Sequence, residues 1–143
     1  MTEFRLSGLL RVRQFEEDRA AAQLAARTIE RLEAEDRVSE ARRDLAGRGL
    51  TGVSDPEAWR RAAACRVAAT SALADARALS EERGREQETA RGEWSQARMR
   101  STSLGKLADA HTRRETAAEE HREQRTLDEI ALRTAPDRRE EIA

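Results

Sequence analysis

Apolar residues along the second half of the chain recur every seven positions. Ala62, Ala69, Ala76, Arg83, Ala90, Ala97, Leu104, His111 and Ala118 form one such series, with one arginine and one histidine as its exceptions. Companions at the three-to-four offset are Trp59, Arg66, Leu73, Ser80, Gln87, Trp94 and Ser101. That spacing keeps one helical stripe facing a partner helix as the two supercoil. The first half is less regular. Leu6, Leu9 and Leu10, then Leu24 and Ala25, Ile29 and Leu32, and finally Val38, Ala41 and Leu45 fall in threes and fours. Arg and Glu interrupt this stripe, and no strict seven-residue repeat runs through it. Between the halves, Gly47, Gly49, Gly52 and Pro56 form the strongest turn signal in the chain. Ser54 through Glu57 reads as a capping box opening the second helix, with Pro56 in its first turn.

The pattern predicts an all-α fold: two long helices forming an antiparallel coiled-coil hairpin, the second longer and overhanging the first. The whole chain, 1–143, reads as a single coiled-coil domain, with helix 1 over about 4–46, a turn over 47–55, helix 2 over about 56–134 and a frayed tail over 135–143. As a continuous helix the first arm is roughly 64 Å long. Folding symmetrically about Thr51 sets Ile29 near Leu73, Leu24 near Leu79 and Leu10 near Trp94. In that register the first arm ends near Arg98. The stretch from there to Thr134 still carries Leu104, Leu107, Ala117, Ala118, Leu127, Ile130 and Ala131. A lone helix with such a stripe is poorly stable in water, which makes the overhang the leading candidate for a partner-binding surface.

Composition agrees with a thin helix–helix seam. Charged residues make up 38% of the chain and aromatics 3%, too few large side chains to fill a multilayer core. The 27 basic and 28 acidic residues nearly balance, which argues against nucleic acid as the main partner. Pairs such as Glu33–Arg37, Glu81–Arg85, Asp109–Arg113 and Glu129–Arg133 have the acid-then-base spacing that supports a solvated helix face. Gly84, Gly92 and Gly105 read as local softness in the second arm, each costing about 1 kcal/mol relative to Ala, the alternative being that Gly92 gives room for Leu10 or Trp94 to pack. The single cysteine, Cys65, excludes an intramolecular disulfide and suits a reducing compartment. No apolar run approaches the ~20 residues needed to span a bilayer, and the opening residues lack the apolar stretch of a secretory signal. A soluble intracellular protein without direct membrane insertion is expected.

No catalytic constellation emerges. A Gly-rich phosphate loop followed by Lys-Ser/Thr is missing. His111 and His121, with one cysteine, match no zinc spacing. Carboxylates on a two-helix surface stay hydrated and keep ordinary acidity. Neither enzyme activity, nor a cofactor, nor a metal is expected.

The opening Phe4-Arg5-Leu6-Ser7-Gly8-Leu9-Leu10-Arg11-Val12-Arg13, followed by Glu16, Glu17 and Ala20, resembles the start of the FliJ family, the small coiled-coil components of flagellar type III export. Gly49-Leu50-Thr51-Gly52-Val53-Ser54 resembles its turn. Trp94 and the run Leu104 through Arg114 resemble its second helix, and Glu123 through Arg133 its ending. The resemblance implies a non-enzymatic stalk of cytoplasmic location, peripheral at the inner membrane through the export apparatus. It would bind the hexameric export ATPase (FliI) and the cytoplasmic domain of the export gate (FlhA), and can escort export chaperones. Carried over by residue, Leu6, Leu10, Arg13, Leu127, Asp128 and Glu129, with Ile130 from the exposed stripe, are candidates for the ATPase side. The gate side would lie near the turn, at Val38, Arg42, Cys65, Ala69 and Ala72. Where the family often carries aromatics or large apolar residues, this chain has Arg, Cys and Ala, leaving Trp59 as the nearby aromatic.

A self-associating coiled-coil scaffold, in which the overhangs of two chains pair, is the alternative from a different class. A secreted helical hairpin of the Trp-x-Gly type is disfavoured, because Trp59 is followed by Arg60-Arg61 and Trp94 by Ser95-Gln96. A nucleic-acid-binding arm has little support from the charge balance.

Overall fold

The computed structural model describes residues 4–134; the expected tail over 135–143 lies outside them. Among the described residues the only regular elements are two α-helices, α1 (Ser7–Gly47, 41 residues) and α2 (Pro56–Thr134, 79 residues). Ala, Leu, Arg and Glu lose little side-chain freedom in a helix and dominate both. The break between them is chemical. Gly52 takes a backbone φ of 86°, a region that L side chains rarely adopt. The Ala58 N–H then donates to Asp55 Oδ2 at 2.8 Å, so the cap of α2 is Asp55 and not Ser54. Pro56 follows as the first helical residue, where its missing N–H has no partner to lose.

The described residues pack as two compact units, Gln14–Met99 and a second one made of residues 4–13 and 100–134. Within the first unit the two helices run antiparallel. Arg27 meets Glu86 and Glu30 meets Arg83 across the seam, and the Arg66 guanidinium donates to the Arg48 carbonyl at 2.7 Å. Buried residues here are small: Ala20, Ala34, Ala69, Ala90 and Ala97, with Leu73 as the one large member. On α2 the seven-residue series and its companions account for every one of them, as the spacing predicts.

The register differs from the symmetric one. Arg27 stands opposite Glu86, whereas folding about Thr51 would set it opposite Asp75, a displacement of about three helical turns. Two causes act together. Residues 48–55 run back beside the start of α2, so that the end of α1 reaches Arg66, about 15 Å beyond Pro56. In addition, the symmetric register stacks Leu24 on Leu79 and Ile29 on Leu73, large against large. Extending the observed pairs by helix geometry sets Leu24 opposite Ala90, Val38 opposite Ala76, Leu45 opposite Ala69, Leu73 opposite Ala41 and Trp94 opposite Ala20. Each large side chain meets an alanine, which lets the backbones approach without overpacking.

The same register shows a seven-residue repeat on α1, interrupted at the exposed Arg31, that its apolar residues conceal. Leu10, Glu17, Leu24 and Val38 are seven or fourteen apart, as are Arg13, Ala20, Arg27 and Ala34, and all are buried or half-buried. Ile29 and Leu32, which an apolar reading assigns to the stripe, are 58% and 55% exposed. Long Arg and Glu stems occupy seam positions in their place.

In the second unit the Phe4 ring lies 5.5 Å from that of His111. Ser101 is buried, and Leu10, Leu104, Ala108 and Glu115 are half-buried. First-arm cover therefore persists to His111 rather than ending near Arg98. From Thr116 to Thr134 every residue is exposed.

Candidate partner-binding surfaces

The carboxyl-terminal turns of α2 hold the clearest unoccupied apolar surface. Leu127, Ile130 and Leu132 are 63%, 53% and 78% exposed. Continuing the seam positions past Glu115 by sevens and their companions gives Ala118, Arg122, Arg125, Glu129 and Leu132, so the buried stripe of the seam turns largely to charge. Leu127 and Ile130 stand off those positions, on a different face of α2. Glu129 bridges Arg133 at 2.8 Å, the one pair among the four named i,i+4 candidates that closes among the described residues.

The other ATPase-side candidates lie in the same unit but apart from this surface. Leu6 is 41% exposed, whereas Leu10 and Arg13 are half-buried where α1 packs. Since Phe4 meets His111, Leu127 sits roughly 24 Å further along α2 at 1.5 Å per residue. The structure therefore presents two patches, one at the start of α1 and another around Leu127–Ile130 with the exposed Asp128.

The gate-side candidates all fall in the 14–99 unit. Ala69 is buried and Val38 half-buried in the seam, so neither offers a free surface. Arg42, Cys65 and Ala72 are exposed, and Trp59 is 48% exposed. Four of the six candidates, of mixed chemistry, are thus accessible.

A polar layer in mid-seam was not visible from spacing. Arg27, Glu30, Arg83 and Glu86 close into a square of alternating charge: Arg27–Glu30 at 2.7 Å, Arg27–Glu86 at 3.3 Å, Arg83–Glu30 at 3.4 Å and Arg83–Glu86 at 2.7 Å. Gln87 extends it, donating to Thr28 Oγ1 at 3.0 Å and accepting from Arg31 at 2.8 Å. The hydrogen bond from Arg83, with the charges of Arg83 and Arg27, holds the Glu86 carboxyl below its ordinary pKa against a smaller opposing desolvation. Arg27 and Arg83 are raised, chiefly by their bonds to Glu30 and Glu86 respectively. The signal in the sequence was Arg83 itself, a charge placed where the series calls for alanine.

With this geometry in view, the family comparison is decisive: the model of the flagellar FliJ protein matches residues 2–140. The chain belongs to the FliJ family. No curated protein and no solved structure matches it. Membership makes this FliJ-family protein a component of the flagellar export apparatus, engaged in protein transport. Among the described residues no helix is long and apolar enough to cross a membrane.

Proposed function

We propose that this chain acts, without catalysis of its own, as the stalk of the export apparatus, inserting its exposed α2 end into the ring of the hexameric export ATPase (FliI) and contacting the export gate (FlhA) near the turn. The observation that carries the ATPase half is the uncovered stretch 116–134, where Leu127 and Ile130 remain exposed on a continuous helix. A helix whose apolar side chains have no partner gains from a ring that buries them. Charged neighbours such as Asp128 and Arg133 would fix its orientation in the pore. Near the turn, Trp59 is the large side chain available to anchor the gate, with the exposed Arg42 as a separate polar contact further from the turn; both residue types are favoured at interface centres. Location at the cytoplasmic face of the inner membrane, and any escort of export chaperones, follow from the same reading.

The test is the ATP hydrolysis rate of the cognate export ATPase with and without this protein, with light scattering of the mixture. Stimulation at one chain per hexamer is expected. No stimulation, together with a concentration-dependent dimer of the protein alone, would replace the stalk with a self-associating scaffold. The charges that occupy the seam positions beyond Glu115 favour the stalk, because a second copy would gain little by continuing that stripe.

A further inference from the structure

The seam of the 14–99 unit admits a second alignment of its helices. Because α2 repeats alanine every seven residues, shifting α1 by seven toward the turn sets Val38 opposite Ala69 in place of Ala76, and Leu45 opposite Ala62 in place of Ala69. Leu73 would exchange Ala41 for Ala34, and Glu17 would exchange Ala97 for Ala90. Large-against-small packing thus survives the shift at these four positions, whereas Trp94 leaves Ala20 and Leu24 comes to lie against the aliphatic stem of Arg83. The loop permits it in that direction. Residues 48–55 now cover about 15 Å of α2 and can reach roughly 26 Å, so moving α1 toward Pro56 only relaxes them. A shift of seven the other way would draw them nearly taut.

What separates the two alignments is the polar layer, together with the Phe4–His111 ring contact, which a shift of the continuous α1 would also break. The cross-helix members of that layer, Arg27–Glu86, Arg83–Glu30, Gln87–Thr28 and Arg31–Gln87, exist only in the observed register. After a seven-residue shift Arg27 faces Ser80 and Arg31 faces Ala76, and the square opens. Polar groups placed in a helix–helix seam are the best-attested means of fixing register. We propose that residues 14–99 form a two-register hairpin, in which the Arg27–Glu30–Arg83–Glu86 square latches one register and its opening lets α1 move about 10 Å along α2. Such a displacement would carry a signal along the coiled coil with both helices intact. It stands independently of the ATPase reading and is tested on the isolated protein.

The test uses full-length chain with Cys65→Ser and, in separate variants, two alternative cysteine pairs. The first pair, Val38→Cys with Ala76→Cys, reports the observed register; the second, Val38→Cys with Ala69→Cys, reports the shifted one. A disulfide needs Cα atoms within about 7 Å, so a 10 Å shift separates the pairs cleanly. With native charges the first pair should form its disulfide on oxidation and the second should largely fail to. Adding Glu30→Gln and Glu86→Gln should raise the disulfide yield of the second pair at least fivefold, at unchanged helix content by circular dichroism. Reversing all four charges (R27E, E30R, R83E, E86R) rebuilds the square and should restore the preference for the first pair. Three results would overturn the proposal: a second-pair yield that ignores neutralisation, one already high with native charges, or loss of helix on neutralisation.

Discussion

Residues 62–97 and 116–134 belong to one helix and draw on the same few residue types, yet the first stretch is a seam and the second is bare. The difference lies in what stands at each seventh position. In the first, alanines at 69, 90 and 97 and Leu73 are buried, and Arg83 is answered by two glutamates. In the second, the corresponding positions include Arg122, Arg125 and Glu129, and the large apolar residues stand elsewhere. Helix propensity builds both stretches; the reach of the first arm, which ends against His111, and the spacing of apolar residues together decide which one is covered.

Truncating the seam should produce the largest effect. Leu73→Ala removes the one large buried side chain and should destabilise the 14–99 hairpin by about 2 kcal/mol, the low end for such changes because the seam is thin. Thermal melting followed by circular dichroism measures it. Leu127→Ala with Ile130→Ala probes the bare stretch and should leave that melt within about 0.5 kcal/mol, as surface changes do. Its effect belongs to the complex: ATPase affinity should weaken at least tenfold, about 1.4 kcal/mol. If affinity held and the melt moved instead, the two stretches would have exchanged roles.

Gly92→Ala should stabilise α2 by up to about 1 kcal/mol, since a methyl group there meets nothing within 4 Å. An unchanged or lowered melting temperature would mean that Gly92 serves a packing role after all. Acidification should give the smallest effect. The Glu86 pKa is depressed in the fold, so its contribution is present above the ordinary carboxylate value near 4.3 and is lost as pH falls through the lower folded value. Comparing wild type with Glu86→Gln between pH 7 and pH 2 isolates it, and the difference between them should shrink as the pH drops.

The α2 seam could be read from sequence because alanine and leucine advertise a seven-residue repeat without competition. The α1 seam could not, because Arg13, Glu17 and Arg27 hold its positions while Phe15, Ile29 and Leu32 point apolar surface outward. Register was hidden for a related reason. Matching Leu24 to Leu79 satisfies a hydrophobic tally, but volume complementarity selects Ala90. The structure breaks the helices between Gly47 and Pro56, and the path of residues 48–55 along α2 depends on Arg66 reaching the Arg48 carbonyl, a contact no spacing rule announces. Of the candidate surfaces, the exposure of Leu127 and Ile130 could be foreseen. The withdrawal of Val38 and Ala69 into the seam became evident only once the register was known.

Trp94 is half-buried with the Arg98 guanidinium 5.2 Å over its ring, whereas Trp59 is 48% exposed, and the chain has no tyrosine. The protein therefore carries two native optical probes without a competing emitter. A soluble quencher should reach Trp59 first, and a blue-shifted residual emission should belong to Trp94. Binding near the turn and loosening at mid-helix would then be told apart in unlabelled protein, by colour rather than by mutation.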